Sequence, residues 1–259
     1  MRIITIIKTI LLIVLFSNFS TTPIFAKTPS WIDSGKIIHA AGGIDNTPYT
    51  NSKDALSNTL ESGNKVVELD FQFTKDGVLV CTHGGANKTT SKKFLKKKIN
   101  DKYTAMTAKT ALKMLIRSKD TYLVVDAKED DVAKVYKEIN KICVASGSNG
   151  NRYRKKIIPQ IYSEDDYEKV SKIYRYKNYI FSVYKLKLSK KSEFEKVAKF
   201  CKSKKIQTMT IPKKFANKNI INVIKKQKLT LATHTVNSES EYNRLKNLGI
   251  DVIYTDFLY

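Results

Sequence analysis

The sequence predicts one (β/α)8 barrel of the TIM type, an α/β fold built as a single domain. Three observations predict it. Beyond a leader, short β-branched runs alternate with stretches of helical period to the end of the chain. The runs number eight. The 259-residue length leaves roughly 230 residues for them, which suits eight β/α units around one core. No Gly-x-Gly-x-x-Gly follows the first run, which weighs against an open dinucleotide-binding sheet.

The elements follow in order. Arg2 and Lys8 precede the apolar run Thr9–Phe16, and Ile24-Phe25-Ala26 closes a polar stretch. This pattern predicts a signal peptide over residues 1–26, with the barrel domain over 27–259, and places the mature protein outside the cell or on its surface. The apolar run falls short of the ~20 residues that a membrane span needs. The first strand is expected at Ile37–His39 and a helix at 51–62. The second strand, Val66–Phe73, meets the turn signal Thr74-Lys75-Asp76-Gly77, so it should fold back as a hairpin through Val78–His83. Residues 84–107 lack a core period and are expected to pass over the barrel mouth. Tyr122–Asp126 is the third strand, with a helix over 130–145; Ile157–Ile161 is the fourth, with Ser163 capping a helix over 164–174. Tyr179–Val183 precedes a helix over 191–202, and Ile206–Ile211 is the sixth strand. Leu229–Thr235 leads through Asn237-Ser238 to a helix over 239–248, which Gly249 ends before the last strand, Val252–Tyr254.

The formal charge of +23 comes mostly from lysine spread along the chain. Such a balance suits an anionic membrane or cell-wall surface, although biased base composition would also produce it. Aromatic residues do not interleave with the basic runs and no nucleic-acid motif is present, so nucleic acid is not expected as a partner. The densest patch, Lys92-Lys93-Phe94-Leu95-Lys96-Lys97-Lys98, reads as a solvated face before a lipid contact. Cys81, Cys143 and Cys201 lie in apolar stretches without a CxxC, which predicts buried thiols and neither a disulfide framework nor zinc. A monomer is expected.

His39 ends the first strand-like run, and His83 ends another after Val78–Thr82. Between them, Glu68 and Asp70 stand two apart in Val67-Glu68-Leu69-Asp70, on one strand face. Asp126 and Lys128 repeat that spacing at the end of the third strand. Gln160 ends the fourth strand and His234 the seventh. Charged groups inside apolar runs cost several kcal/mol unless paired or bound to a cation. In a (β/α)8 barrel these positions share the catalytic rim. Carboxylates meeting one hard cation, flanked by two imidazoles, form a layout for metal-assisted phosphodiester cleavage. Asp126 and Lys128 could alternatively form a structural ion pair, and His234 is expected as a satisfied core histidine.

These residues also carry a resemblance. Val67-Glu68-Leu69-Asp70, then Thr74-Lys75-Asp76-Gly77 and His83, is similar to the acidic pair, turn and second histidine of glycerophosphodiester phosphodiesterases. That family belongs to the superfamily of phosphatidylinositol-specific phospholipase C. His39 with Gly42-Gly43, Asn51-Ser52 with Ala55, Pro159-Gln160, Thr235-Val236-Asn237 and Thr255-Asp256-Phe257 extend the resemblance over the mature chain. The resemblance implies one Ca²⁺ or Mg²⁺ held by Glu68, Asp70 and Asp126. It implies His39 as base, His83 as acid, and Lys128 steadying a substrate phosphate. The chain departs from the family at Ala40, where arginine usually contacts phosphate, at Asp126, where glutamate is usual, and at His234, where an aromatic is frequent. Asp-x-Lys is similar to the sphingomyelinase D branch, so a phospholipase-D-like activity is an alternative. A non-catalytic or weakly active surface-binding barrel is another.

Overall fold

The computed structural model describes residues 30–118 and 120–259. The expected signal peptide, residues 1–26, lies outside them. Nine strands form one sheet: β1 (Lys36–Ile38), β2 (Val66–Phe73), β3 (Leu79–Cys81), β4 (Tyr122–Ala127), β5 (Ile157–Ile161), β6 (Ile180–Ser182), β7 (Thr208–Pro212), β8 (Thr230–His234) and β9 (Val252–Thr255). Eight of them run parallel in the order β1-β2-β4-β5-β6-β7-β8-β9, and β9 pairs with β1 to close the barrel. Each expected strand is present. The turn at Thr74–Gly77 also forms: β3 returns antiparallel to β2, with Phe71 opposite Cys81 and Phe73 opposite Leu79. Gly77, at φ 77°, supplies the left-handed residue that this turn requires.

The helices are α1 (Lys53–Glu61), α2 (Ser91–Lys96), α3 (Ala108–Ser118), α4 (Val132–Ala145), α5 (Gly147–Tyr153), α6 (Glu164–Ser171), α7 (Lys191–Ser203), α8 (Lys218–Lys226) and α9 (Glu239–Leu248). Four of these are additions to the sequence expectation. In α3 the buried set Ala108, Ala111, Leu112 and Leu115 follows the helical period, and Thr107 Oγ1 accepts from Thr110 N. In α8, Asn217 caps the run and Ile220, Ile221, Val223 and Ile224 face the core. Helix α5 reads as loop because Gly147-Ser148-Asn149-Gly150 has low helix propensity. Tight packing against α4 decides otherwise: a Cβ on Gly150 would lie 2.0 Å from the Cys143 carbonyl oxygen.

The core has two parts. Strand side chains facing outward, such as Val67, Leu69, Phe71, Val125 and Ile161, pack on the helices. Inward-facing Ile37, Val66, Val124, Ile158, Ile180 and Val252 fill the lower barrel, closed by Trp31 and Ile32. All three cysteines are buried and unpaired, as expected. Residues 84–107 bond to the β2–β3 hairpin, through Ala86 N to Gln72 Oε1, and to the loop after β1, through Tyr103 Oη to Asp45 Oδ2. Asp76, in the hairpin turn, accepts hydrogen bonds from Ser91 N and Oγ, both at 2.7 Å, and Lys53 N donates to the Thr104 carbonyl. These contacts hold the lobe against the hairpin and the start of α1.

Candidate active site

Alternation along the strands builds the site. Val66, Glu68 and Asp70 point into the barrel from β2, and Val124 and Asp126 do so from β4. Parallel register sets Asp70 beside Asp126 and Asp126 beside Gln160. One carboxylate oxygen from each of Glu68, Asp70 and Asp126 comes within 4.8 Å of the others. The three side chains are almost wholly buried, at 1%, 1% and 5% exposure.

Each carboxylate is oriented from one side. Glu68 Oε2 accepts from the Ala40 amide at 2.8 Å. Asn51 clasps Asp70, its Nδ2 donating to Oδ2 at 2.8 Å while its Oδ1 accepts from the Asp70 amide at 3.0 Å. Tyr162 Oη donates to Asp126 Oδ2 at 2.8 Å and accepts from Gln160 Nε2, whose Oε1 accepts from Tyr254 Oη. The backbone is bent to allow this. Ala40 (φ 49°), Tyr49 (67°) and Asn51 (49°) are left-handed, a geometry costing on the order of 1 kcal/mol each and kept where function needs it.

Lys128 completes the cluster, its Nζ lying 2.6 Å from Asp126 Oδ2 and 2.9 Å from Asp70 Oδ1. The ion pair that the sequence left open is therefore present. Burial alone would lower the Lys128 pKa, but Asp126, Asp70 and Glu68 outweigh it and hold the ammonium above its ordinary value. Glu68 is pushed well above the usual carboxylate range by burial and then by the charges of Asp70 and Asp126. Asp126 is raised by burial, against the pull of Lys128. Two buried oxygens, Glu68 Oε1 and Asp126 Oδ1, have no hydrogen-bond partner. Such a set, all oxygen and short of positive charge, fits a hard divalent cation.

His39 leaves β1 beside this cluster, with Nε2 4.0 Å from Glu68 Oε2. Its Nδ1 donates to Asp256 Oδ1 at 2.9 Å, which assigns the proton to Nδ1 and turns the Nε2 lone pair toward the carboxylates. Asn237 holds Asp256 through Nδ2 and through the Asp256 amide, both at 2.8 Å. Gly43 lets the chain approach: a Cβ there would fall 2.0 Å from the Phe257 ring. His83 does not reach the cluster. It is exposed, separated from His39 by Tyr49, whose ring lies edge-on to both at centroid distances of 4.4 and 5.0 Å. Burial and the charges of Asp70 and Glu68 push the Tyr49 phenol up to about 12.

His234 packs between Tyr184 and Tyr254, with centroids at 4.0 and 4.8 Å. Burial, then His39 and Lys128, push its pKa down to about 3, so the ring is neutral near pH 7. It is a packed histidine as expected, but Nε2 is buried without a partner, which corrects the expectation of a satisfied one. The residues that orient the site, Asn51, Tyr162, Asn237 and Asp256, had no assigned role from sequence. Three of them lie in the motifs that carry the resemblance, and Tyr162 directly follows the fourth strand.

The model of the glycerophosphoryl diester phosphodiesterase family matches residues 41–259. The chain belongs to that family. It is accordingly a phosphodiester hydrolase. No curated protein matches this chain in sequence. Solved structures share its fold at low identity. A glycerophosphodiester phosphodiesterase from Parabacteroides distasonis is 17% identical, with TM-score 0.67 over 85% of this chain and 92% of the other. One from Thermotoga maritima is 18% identical, with TM-score 0.62 over 85% and 93%. An Oleispira antarctica phosphodiesterase, solved with the product sn-glycerol-3-phosphate, is 16% identical, with TM-score 0.63 over 86% and 92%.

Proposed function

We propose that the protein is exported through its leader and acts as a monomer on glycerophosphodiesters or related lipid headgroup phosphodiesters. The observation that supports the hydrolytic reading is the convergence of Glu68, Asp70 and Asp126, two of them with unpartnered buried oxygens, with Glu68 Oε2 4.0 Å from His39 Nε2. Glu68, Asp70 and Asp126 would hold one Ca²⁺ or Mg²⁺. When bound, such an ion polarises phosphoryl oxygens.

The chain's own groups do the rest. His39 Nε2, fixed as acceptor by Asp256, takes the proton of the substrate hydroxyl adjacent to the phosphate. That oxygen closes on phosphorus as the ester bond breaks, leaving a cyclic phosphate. His83, at the open side of the site, gives its proton to the departing oxygen. Water then opens the ring with the two roles reversed. Lys128 supplies the fixed positive charge within the cluster for phosphate.

A second reading, phospholipase-D-like cleavage of choline or ethanolamine lipids, is favoured by one observation. Ala40 is fully buried, its left-handed backbone spent on Glu68, so the phosphate-contacting arginine of the family has no counterpart there. Turnover of a panel of glycerophosphodiesters and lysophospholipids, with and without chelator, tests both readings. Release of glycerol phosphate from glycerophosphodiesters supports the first, and turnover confined to lysophospholipids supports the second. Undiminished turnover after exhaustive chelation would remove the cation from the proposal.

A further inference from the structure

The 84–105 lobe has a composition unlike the rest of the barrel. Between Gly77 and Asn100 the chain carries six lysines and no acidic residue. Helix α2 buries none of its residues. Leu95 is 40% exposed, and Phe94 and Ile99 are only part-buried. Beneath α2 lies a cavity of about 460 Å³, lined by Phe94, Ile99 and Ala105, by Lys93 and Lys97, and by Gly84 next to His83. The helix is thus held at its ends, through the Asp76–Ser91 bonds and the Lys98 Nζ to Thr104 Oγ1 bond, and packs on little between them. Among the described residues, Lys92, Lys93, Lys96 and Lys97 form no ion pair with an acidic group.

A short element that exposes leucine among unpaired lysines matches the chemistry of a bilayer interface, where ammonium groups meet anionic headgroups and apolar side chains enter the acyl boundary. Its position adds direction. Helix α2 begins at the hairpin turn beyond the C-terminal end of β2, the end of the barrel that carries Glu68, Asp70 and His83. We propose that this lobe docks the catalytic end of the enzyme on an anionic lipid surface, with Lys92, Lys93, Lys96 and Lys97 contacting headgroups and Leu95 inserting. The proposal deepens the lipid-headgroup reading above, but its test does not depend on turnover.

The rival is the overall charge of +23, which would draw any face of the protein to an anionic vesicle. Sedimentation with vesicles of phosphatidylglycerol and phosphatidylcholine, against phosphatidylcholine alone, separates the two. Full-length mature protein is compared with Lys92→Glu/Lys93→Glu/Lys96→Glu. A charge-matched control carries Lys191→Glu/Lys196→Glu/Lys202→Glu in α7, between β6 and β7 and across the barrel from β2. The lobe variant should partition at least about tenfold more weakly, and the α7 variant should lose only a fraction of that. Leu95→Ser should reduce the bound fraction that survives high salt. Equal losses in both triple variants, or no loss in the lobe variant, would overturn the proposal. All the exchanged lysines are exposed, so circular dichroism should be unchanged. Turnover of soluble glycerophosphocholine, measured beside binding, should be equal in the lobe variant and the parent. Its absence from both would count against the catalytic reading and not against docking.

Discussion

The two ends of the barrel use the same strands for opposite purposes. At the floor, Val66, Val124, Ile158 and Val252 close around Trp31 as a dry apolar plug. Two residues further along the same inward faces stand the buried polar side chains of Glu68, Asp126 and Gln160, while Tyr254 packs its ring with the floor and donates a hydrogen bond from its hydroxyl to Gln160. A rise of ~7 Å along a strand therefore carries the barrel from cohesive packing to a concentration of buried negative charge. The floor gains stability from area removed from water. The mouth holds groups that repel one another, aligned by Asn51, Tyr162 and the Ala40 amide. The contrast teaches that stability and chemistry are divided by height in the barrel, so substitutions at each end should move different observables.

The sharpest break of that comparison pairs Glu68→Gln with Trp31→Ala. Glu68→Gln should lower turnover on the order of 10²-fold or more and weaken divalent-ion binding by calorimetry. The apo protein should unfold no earlier than wild type, because a neutral amide relieves repulsion from Asp70 and Asp126. Trp31→Ala should do the reverse, costing about 3–5 kcal/mol in urea unfolding while leaving turnover per folded molecule nearly unchanged. A Glu68→Gln protein that keeps full turnover would end the division. Next in size are the histidines. His39→Ala and His83→Ala should each cost on the order of 10²-fold in turnover. Asp256→Asn should lower turnover by less than His39→Ala and leave ion affinity near wild type, since Asp256 contacts the imidazole and not the carboxylate cluster. A loss of ion affinity as large as that of Glu68→Gln would mean that Asp256 acts through the cluster.

Most of this architecture is legible in the sequence because β-branched runs mark strands and period two fixes their faces. Glu68, Asp70 and Asp126 stand out for that reason: a charge in an apolar run has few structural excuses. Asn51, Asn237 and Asp256 do not, because they sit in loops where asparagine and aspartate are ordinary turn residues. Their roles depend on chain reversals that bring residues 39 and 256 within 2.9 Å. Helix α5 was hidden by glycine and asparagine, whose low propensity is overridden by packing on α4. The lobe at 84–107 carried no period because α2 has no buried face to impose one.

His234 offers the smallest test, at the boundary between the two ends. Its inward position on β8 lies above Ala232 of the floor cluster, and its ring packs on Tyr184 and Tyr254. In the unfolded chain it titrates near its ordinary 6.5, whereas in the fold it stays neutral down to about 3. The unfolded state therefore takes up a proton first as pH falls, so this residue contributes stability above pH 6.5 and loses it between 6.5 and 3. From pH 7.5 to pH 5 the loss should reach about 2 kcal/mol, one proton over the pH units spent below 6.5. His234→Phe, which keeps a ring against both tyrosines, should remove that part of the decline. Its turnover near pH 7 should change by less than about threefold, far less than for His39→Ala. Urea unfolding of both proteins at pH 7.5 and pH 5 reads the difference directly. If the two proteins lose equal stability over that interval, His234 is protonated in the fold, and the ring belongs with the charged mouth and not with the packed floor.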